Sequence, residues 1–128
     1  MKKLFIGVLV AVLVLGVAVF SVAAQDEIKI CQVTDLGGVD DKSFNETAWN
    51  GIKMAETELG IKGIVLESKS DADYMVNIDQ FIDDGCDLIV TVGFMLQEAT
   101  ETAATDNPDV KFSIIDSAVN YQDRKSVV

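Results

Sequence analysis

The sequence of 128 residues predicts an α/β fold, built as a doubly wound parallel sheet. Four short apolar runs, bounded by charged residues or glycine, alternate with segments of helical periodicity. Strands that alternate with helices in this way are joined by right-handed crossovers and run parallel. The third run is apolar almost throughout, as expected for a parallel strand that helices cover on both faces. The four predicted strands are 28–34, 63–68, 87–92 and 111–115.

The first predicted helix has signals at both of its ends. Ser43 and Glu46 have the spacing of a capping box, in which each side chain binds a free amide of the first turn, and Gly60 supplies a C-terminal stop. The residues between them form the apolar stripe of an amphipathic helix. This stripe consists of Phe44, Ala48, Ile52, Ala55 and Leu59.

Two further helices are expected after the second and third strands. One begins at Ser70 or Asp71, either of which can cap it, and ends at Asp84. The other follows the Gly93-Phe94 turn and closes at Asn107, because the residue before a proline avoids helical backbone.

Residues 1–24 have the order of segments that is typical of a secretory signal peptide. Two lysines precede an unbroken apolar run at 4–20, and small residues lead to an expected cleavage site after Ala24. An uncleaved membrane anchor is the alternative, since about 20 apolar residues span a bilayer. Either way, we expect residues 25–128 to be extracytoplasmic and to meet a membrane only through this segment.

Composition argues against several kinds of partner and site. The chain has 10 Lys and Arg residues against 21 Asp and Glu, a formal net charge of −11, so binding to nucleic acid or to an anionic lipid surface is not expected. It has no histidine, the commonest metal ligand and general base. Cys31 and Cys86 lie in apolar strands, where we expect buried free thiols; a disulfide is the alternative in an exported chain.

The carboxyl ends of the predicted strands bring three segments to one edge of the sheet. The loop 35–45 follows the first strand, Gly93 and Phe94 follow the third, and Asp116 ends the fourth. Open α/β sheets bind ligands at this edge, beside the switch in strand order. We therefore expect the ligand site here.

The residue types at this edge favour binding of a planar ligand without catalysis. Phe44 can stack on a ring, or it can continue the core stripe. Asn45 offers a donor and an acceptor, or it satisfies amides at the helix end. Asp35 and Asp116 can accept from hydroxyl or ring N–H groups. Residues 40–42 are interpreted as a solvated turn.

An exported flavodoxin-like enzyme or signalling domain is the alternative function. Asp35, Asp40 and Asp41 could hold a magnesium ion, but phosphotransfer receivers also need an aspartate at the end of the third strand, and residues 91–94 contain none. The glycine motifs of nucleotide-binding loops are absent, and no histidine can activate a serine nucleophile. We expect no catalytic residue, no metal and no cofactor.

The segment 33–45 (Val-Thr-Asp-Leu-Gly-Gly-Val-Asp-Asp-Lys-Ser-Phe-Asn), with Ala-Trp-Asn-Gly at 48–51, resembles the opening motif of the basic membrane protein family. These are purine-nucleoside-receptor-like substrate-binding proteins of ABC transporters. Residues 91–94 and 107–116 are also similar to that family. The resemblance implies the N-terminal lobe of a type I periplasmic-binding-protein fold, in which two α/β lobes close on a nucleoside.

The resemblance also implies site residues and partners. The first strand's aspartate and the Phe-Asn step would contact the nucleoside, the last aspartate would hold ribose hydroxyls, and the glycine turn would permit close approach. An ABC permease and its ATPase would be the protein partners. Because members are much longer, we expect residues 25–128 to be a fragment that lacks the second lobe and binds nucleosides weakly or not at all. The implied site residues are Asp35, Phe44, Asn45, Gly93, Phe94 and Asp116.

Overall fold

The computed structural model describes residues 27–118, so the predicted signal peptide lies outside the described residues. Within this range strands and helices alternate strictly along the chain. The elements are β1 (Lys29–Thr34), α1 (Phe44–Leu59), β2 (Lys62–Glu67), α2 (Ala72–Asp83), β3 (Leu88–Val92), a 3₁₀ turn (Phe94–Leu96), α3 (Gln97–Asp106) and β4 (Phe112–Ile115).

The strands form one parallel sheet in the order β2-β1-β3-β4. The chain moves outward from β1 to β2 and then returns past β1 to reach β3, so the direction of winding reverses beside β1. Right-handed crossovers then place α1 on one face of the sheet and α2 and α3 on the other. The predicted doubly wound α/β fold is confirmed, and the loops after β1 and β3 diverge at the switch point where such sheets bind ligands.

Alternate residues of β1 face the two helical layers. Cys31 and Val33 are fully buried in the core between the sheet and the pair α2 and α3. Gln32 is equally buried under α1, where its Nε2 donates to the backbone oxygen of Asn45 at 3.0 Å. The largest buried apolar side chains of the described residues are Phe81, Phe112, Ile78, Ile89 and Leu96.

The apolar stripe of α1 is buried only at its centre. Ile52 is 7% exposed, whereas Phe44 and Leu59 at the two ends are 51% and 75% exposed. A helix of 16 residues is about 24 Å long, and strands of six residues reach only about 20 Å. The helix is therefore longer than the strands on which it packs, which leaves the apolar side chains at its two ends exposed.

The N-terminal cap of α1 differs from the prediction. The Ser43 side chain makes no capping hydrogen bond, so the predicted capping box is wrong. The carboxylate of Asp41 instead accepts from the first free amides of the helix. Gly60 ends the helix in the left-handed conformation, φ 68°, as predicted.

The other two helices have the expected positions with different end details. Asp71 occupies the N-cap position of α2 without a side-chain capping bond, and the carboxylate of Asp73 accepts from the backbone N–H groups of Lys69 and Ser70. Helix α3 closes at Asn107, whose N–H donates to Ala103. Nowhere in 27–118 does a helix combine the length and the apolar character that crossing a membrane requires.

Cys31 and Cys86 form a disulfide, so the expectation of two free thiols is wrong. Cys86 lies two residues before β3, and the next residue, Asp87, donates its N–H to the carbonyl of Lys29 in β1. This pairing of the two strands brings the cysteine Cα atoms to 6.1 Å, within the normal range for a disulfide. The choice between free thiols and a disulfide therefore depends on the parallel pairing of β1 with β3, which no local sequence pattern reveals.

Candidate ligand site at the carboxyl edge of the sheet

Asp35 follows β1 and lies at the centre of the carboxyl edge. Its Oδ1 accepts from the backbone N–H of Gly37 at 2.9 Å and from Nδ2 of Asn45 at 2.7 Å. Its Oδ2 faces Gly93, where an added Cβ would stand 2.6 Å away from that oxygen. Gly93 also adopts φ 107°, which L residues rarely do. Glycine therefore allows the loops after β1 and β3 to meet at Asp35.

Asn45 lies in the first turn of α1 and is almost wholly buried, with 1% exposure. Its Nδ2 donates to two carboxylates, Asp35 Oδ1 at 2.7 Å and Asp41 Oδ2 at 2.9 Å. Its Oδ1 has no hydrogen-bond partner among the described residues, and the same holds for Oε1 of Gln32. The side chain of Asn45 thus bridges two acids and keeps one acceptor unused.

Asp41 is a bonded residue of the site, and its interpretation as part of a solvated turn is wrong. Its carboxylate accepts from the backbone N–H of Ser43 at 2.8 Å, of Asn45 at 3.1 Å and of Glu46 at 3.1 Å. Desolvation acts to raise the pKa of Asp41, but these bonds and the Asn45 side chain outweigh it and hold the pKa below its usual value. Asp40 and Lys42 are exposed, as expected.

Asp116 and Phe94 complete the predicted set on the β3 and β4 side of the edge. Asp116 directly follows β4, is exposed and adopts a left-handed φ of 66°. The N–H of Gly93 donates to the carbonyl of Ile115 at 3.0 Å, which ties the β3 loop to the start of the Asp116 turn. Asp35 and Gly93 are in direct contact, and Asp116 lies one strand further along.

Large apolar side chains are exposed along this edge. Phe44 is 51% exposed, Phe94 66%, Leu36 49% and Met95 40%. All four belong to the loops or helix starts that follow β1 and β3. Exposed large apolar side chains gathered on the loops of one sheet edge indicate a binding site. The core alternative for Phe44 is therefore wrong, since its ring is half exposed at the rim.

Residues 28–128 match the family described as ABC transporter substrate-binding protein, PnrA-like (Bmp). The chain belongs to this family. It is 37% identical over 110 residues to the CD4+ T-cell-stimulating antigen of Listeria monocytogenes, a match that covers 82% of this chain and 30% of the relative. It is 36% identical over 107 residues to the ABC transporter nucleoside-binding protein BmpA of Lactococcus lactis, covering 80% of this chain and 30% of that protein.

Solved structures of ABC transporter solute-binding proteins share the fold. The crystal structure of the solute-binding protein from Aeropyrum pernix K1 superposes with a TM-score of 0.71 at 35% identity, over 78% of this chain and 27% of that one. The chain thus spans less than a third of this protein and of the two relatives above. The resemblance to the PnrA-like family, inferred from the segment 33–45, is confirmed.

A separate cavity of about 430 Å³ lies between α2 and α3 and contains none of the six predicted site residues. The buried ring of Tyr74 forms one wall. Burial raises the pKa of Tyr74 to about 12, with contributions from the charges of Asp71 and Asp35. The cavity is lined by Asp71, Tyr74, Met75, Met95, Glu98, Ala99 and Thr102.

The geometry gives no support to the magnesium alternative. No group of three or more His, Cys, Asp or Glu side chains between residues 27 and 118 is placed to hold a metal ion. Asp35 and Asp41 converge on the amide nitrogen of Asn45, and Asp40 is exposed. In this chain Asp35 and Asp41 thus hold an amide group between them.

Three further residues support the site and were not predicted from the sequence. Gln32 anchors the backbone of Asn45 from below. Glu67, at the end of β2, accepts from the N–H of Val39 at 2.8 Å and pins the middle of the loop 35–45. Ser117 donates its hydroxyl to Gln97 at 2.8 Å beside Asp116. A glutamine inside an apolar strand, such as Gln32, can be noticed in the sequence. The roles of Glu67 and Ser117 depend on loop positions that only the folded chain defines.

Proposed function

We propose that this chain forms the nucleoside-binding N-terminal lobe of an extracytoplasmic ABC transporter receptor. The observation that carries the proposal is the Asp35 carboxylate, held at the switch point by Gly37 and Asn45, together with the half-exposed Phe44 at the start of α1. Oδ1 of Asp35 is occupied by two donors, and Oδ2 faces the neighbouring loop. A planar base with N–H groups would stack on the ring and donate to the carboxylate.

The remaining predicted residues have complementary roles in this proposal. Because Gly93 has no side chain, the loop after β3 can approach the Asp35 carboxylate closely. Phe94 offers a second exposed ring, and Asp116 is an exposed acceptor suited to ribose hydroxyls. Asn45 acts through Asp35, because its side-chain amide holds the Asp35 carboxylate. Its Oδ1 is an acceptor that has no hydrogen-bond partner among the described residues. The name of the Lactococcus lactis relative supports a nucleoside as the ligand class.

One lobe supplies half of a closed site. Ligand pockets bury most of a small ligand, and the four exposed apolar residues of this edge would be covered only by a second surface. We infer that a second lobe, an ABC permease and an ATPase complete the system, that the signal segment 1–24 directs export, and that no catalysis occurs. A single lobe should therefore bind nucleosides weakly.

The test is an NMR titration of the chain, produced by export from a bacterial host, with adenosine and guanosine. We expect shift changes confined to the loops after β1, β3 and β4. Phe44→Ala should weaken binding by about 1–3 kcal/mol if the ring stacks on a base. Met54→Ala, which removes another exposed apolar side chain of α1, is the control and should change nothing.

Two results would count against the proposal. If Phe44→Ala still binds adenosine or guanosine with micromolar affinity, the Phe44 ring has a structural role and does not stack on the base. Magnesium titration that shifts Asp35, Asp40 and Asp41, with no response to nucleoside, would favour the enzyme or signalling alternative.

A further inference from the structure

We infer that Asp41 is a positioning residue that sets the geometry of both Phe44 and Asp35, an inference that rests on the function proposed above. Its carboxylate accepts four hydrogen bonds, three from backbone amides at the start of α1 and one from the side chain of Asn45. The neighbouring Asp40 has the same charge but is exposed. The two acids of this pair thus have different roles.

The backbone bonds set the position of Phe44. Ser43 and Asn45 flank the phenylalanine, and both of their N–H groups point at the same carboxylate, at 2.8 Å and 3.1 Å. With both neighbours tied to one group, the backbone of Phe44 has one orientation, and its ring projects from a fixed base. A ring that is positioned in advance loses less conformational entropy when a ligand stacks on it.

The side-chain bond sets the position of Asp35. Nδ2 of Asn45 lies 2.9 Å from Asp41 Oδ2 and 2.7 Å from Asp35 Oδ1. Two carboxylates at one end of the amide identify that end as the donor, because the opposite orientation would place an oxygen against two anions. Asn45 is 1% exposed, so it has little room to rotate. Asp41 therefore holds one end of a bridge whose other end is the Asp35 carboxylate.

An asparagine at position 41 separates helix capping from positioning. Asparagine caps helices about as well as aspartate, and its oxygen can still accept from Ser43 and Glu46. Its NH₂ group would then face the two N–H donors of Asn45, so the bridge and one backbone bond are lost while the backbone bonds from Ser43 and Glu46 remain. A residue that serves only as a cap would tolerate this change.

The experiment compares Asp41→Asn, Asp41→Ala and the control Asp40→Asn in the exported chain. Two readouts are used: hydrogen exchange and chemical shift of the Asn45 side-chain amide, and NMR titration with adenosine. For Asp41→Asn we expect a folded protein with slow exchange at Ser43 and Glu46, about tenfold faster exchange at the Asn45 side chain, and about tenfold weaker adenosine binding, a factor that corresponds to one lost interaction of moderate strength. Asp41→Ala should also lose protection at Ser43 and Glu46, and Asp40→Asn should match the parent.

The two readouts keep this inference separate from the proposed function. If Asp41→Asn binds adenosine as well as the parent, or if its Asn45 amide is unchanged, the positioning role is overturned. If the parent chain shows no response even at the highest nucleoside concentrations, the weak binding proposed for this lobe is contradicted, and the Asn45 amide still decides whether Asp41 sets the geometry of the bridge.

Discussion

Gly93→Ala is the substitution that tests most directly whether the β1 and β3 loops form one site. The new Cβ would lie 2.6 Å from Oδ2 of Asp35 and 3.1 Å from its Cβ and Cγ. An isolated aspartate would swing away at little cost. This one is held by Gly37 and Asn45 through Oδ1, so any rotation of the carboxylate breaks bonds that the loop depends on.

The expected cost has two parts. An L residue at φ 107° and ψ 141° is strained by about 1–3 kcal/mol. Displacing the carboxylate forfeits charge-assisted hydrogen bonds worth about 1.5–3 kcal/mol. We therefore expect a loss of about 2.5–6 kcal/mol in the free energy of unfolding. Gly60→Ala is the matched control, because Gly60 also has positive φ, 68°, but an added Cβ would meet nothing within 4 Å; its cost should be about 1–2 kcal/mol.

Urea unfolding followed by circular dichroism measures both costs, with equal slopes required for the comparison. Nucleoside titration of the folded variants is the functional readout, and Gly93→Ala alone should reduce the response at Asp35. Equal destabilisation by the two substitutions would refute the reasoning, because it would mean that only backbone conformation, and no contact with Asp35, restricts position 93.

Two further predictions concern the core between the sheet and the helices α2 and α3. Reduction of the Cys31–Cys86 disulfide, which spans 55 residues, should lower the free energy of unfolding by about 4 kcal/mol on the loop-entropy estimate; an unchanged urea midpoint in dithiothreitol would contradict it. Tyr74, with a pKa of about 12, has a folded pKa above its unfolded value, so its contribution to stability is present below about pH 10 and is lost as the pH rises through the folded pKa. Tyrosinate absorbance should show this late step, and Tyr74→Phe should remove it; if Tyr74→Phe instead removes a step near the ordinary tyrosine pKa, the ring is not buried as described.

Much of the architecture could be predicted because it depends on local patterns. Continuous apolar runs identified the strands, and helical periodicity with Gly60 and Asn107 located the helix ends. The crossover rule then allowed only one kind of sheet. The family resemblance of the segment 33–45 was visible because the motif is long and contiguous.

Details that depend on contacts between distant segments were missed or wrong. The disulfide required β1 to pair with β3, and the exposure of Leu59 required the relative lengths of helix and sheet. The cap of α1 was assigned to Ser43 because its spacing to Glu46 fits a common motif, yet the loop places Asp41 closer to the free amides.

The sequence by itself determined the order of elements, the family and the edge of the sheet that carries Asp35, Phe44, Gly93 and Asp116. It could do so because strand ends and turns are encoded by neighbouring residues. Only the tertiary structure decided the different roles of Asp40 and Asp41, since hydrogen bonds between loops depend on distances of a few tenths of an ångström. Asp40 and Asp41 are the same residue type at adjacent positions, but only Asp41 accepts from the amides of α1 and from the Asn45 side chain that bridges to Asp35.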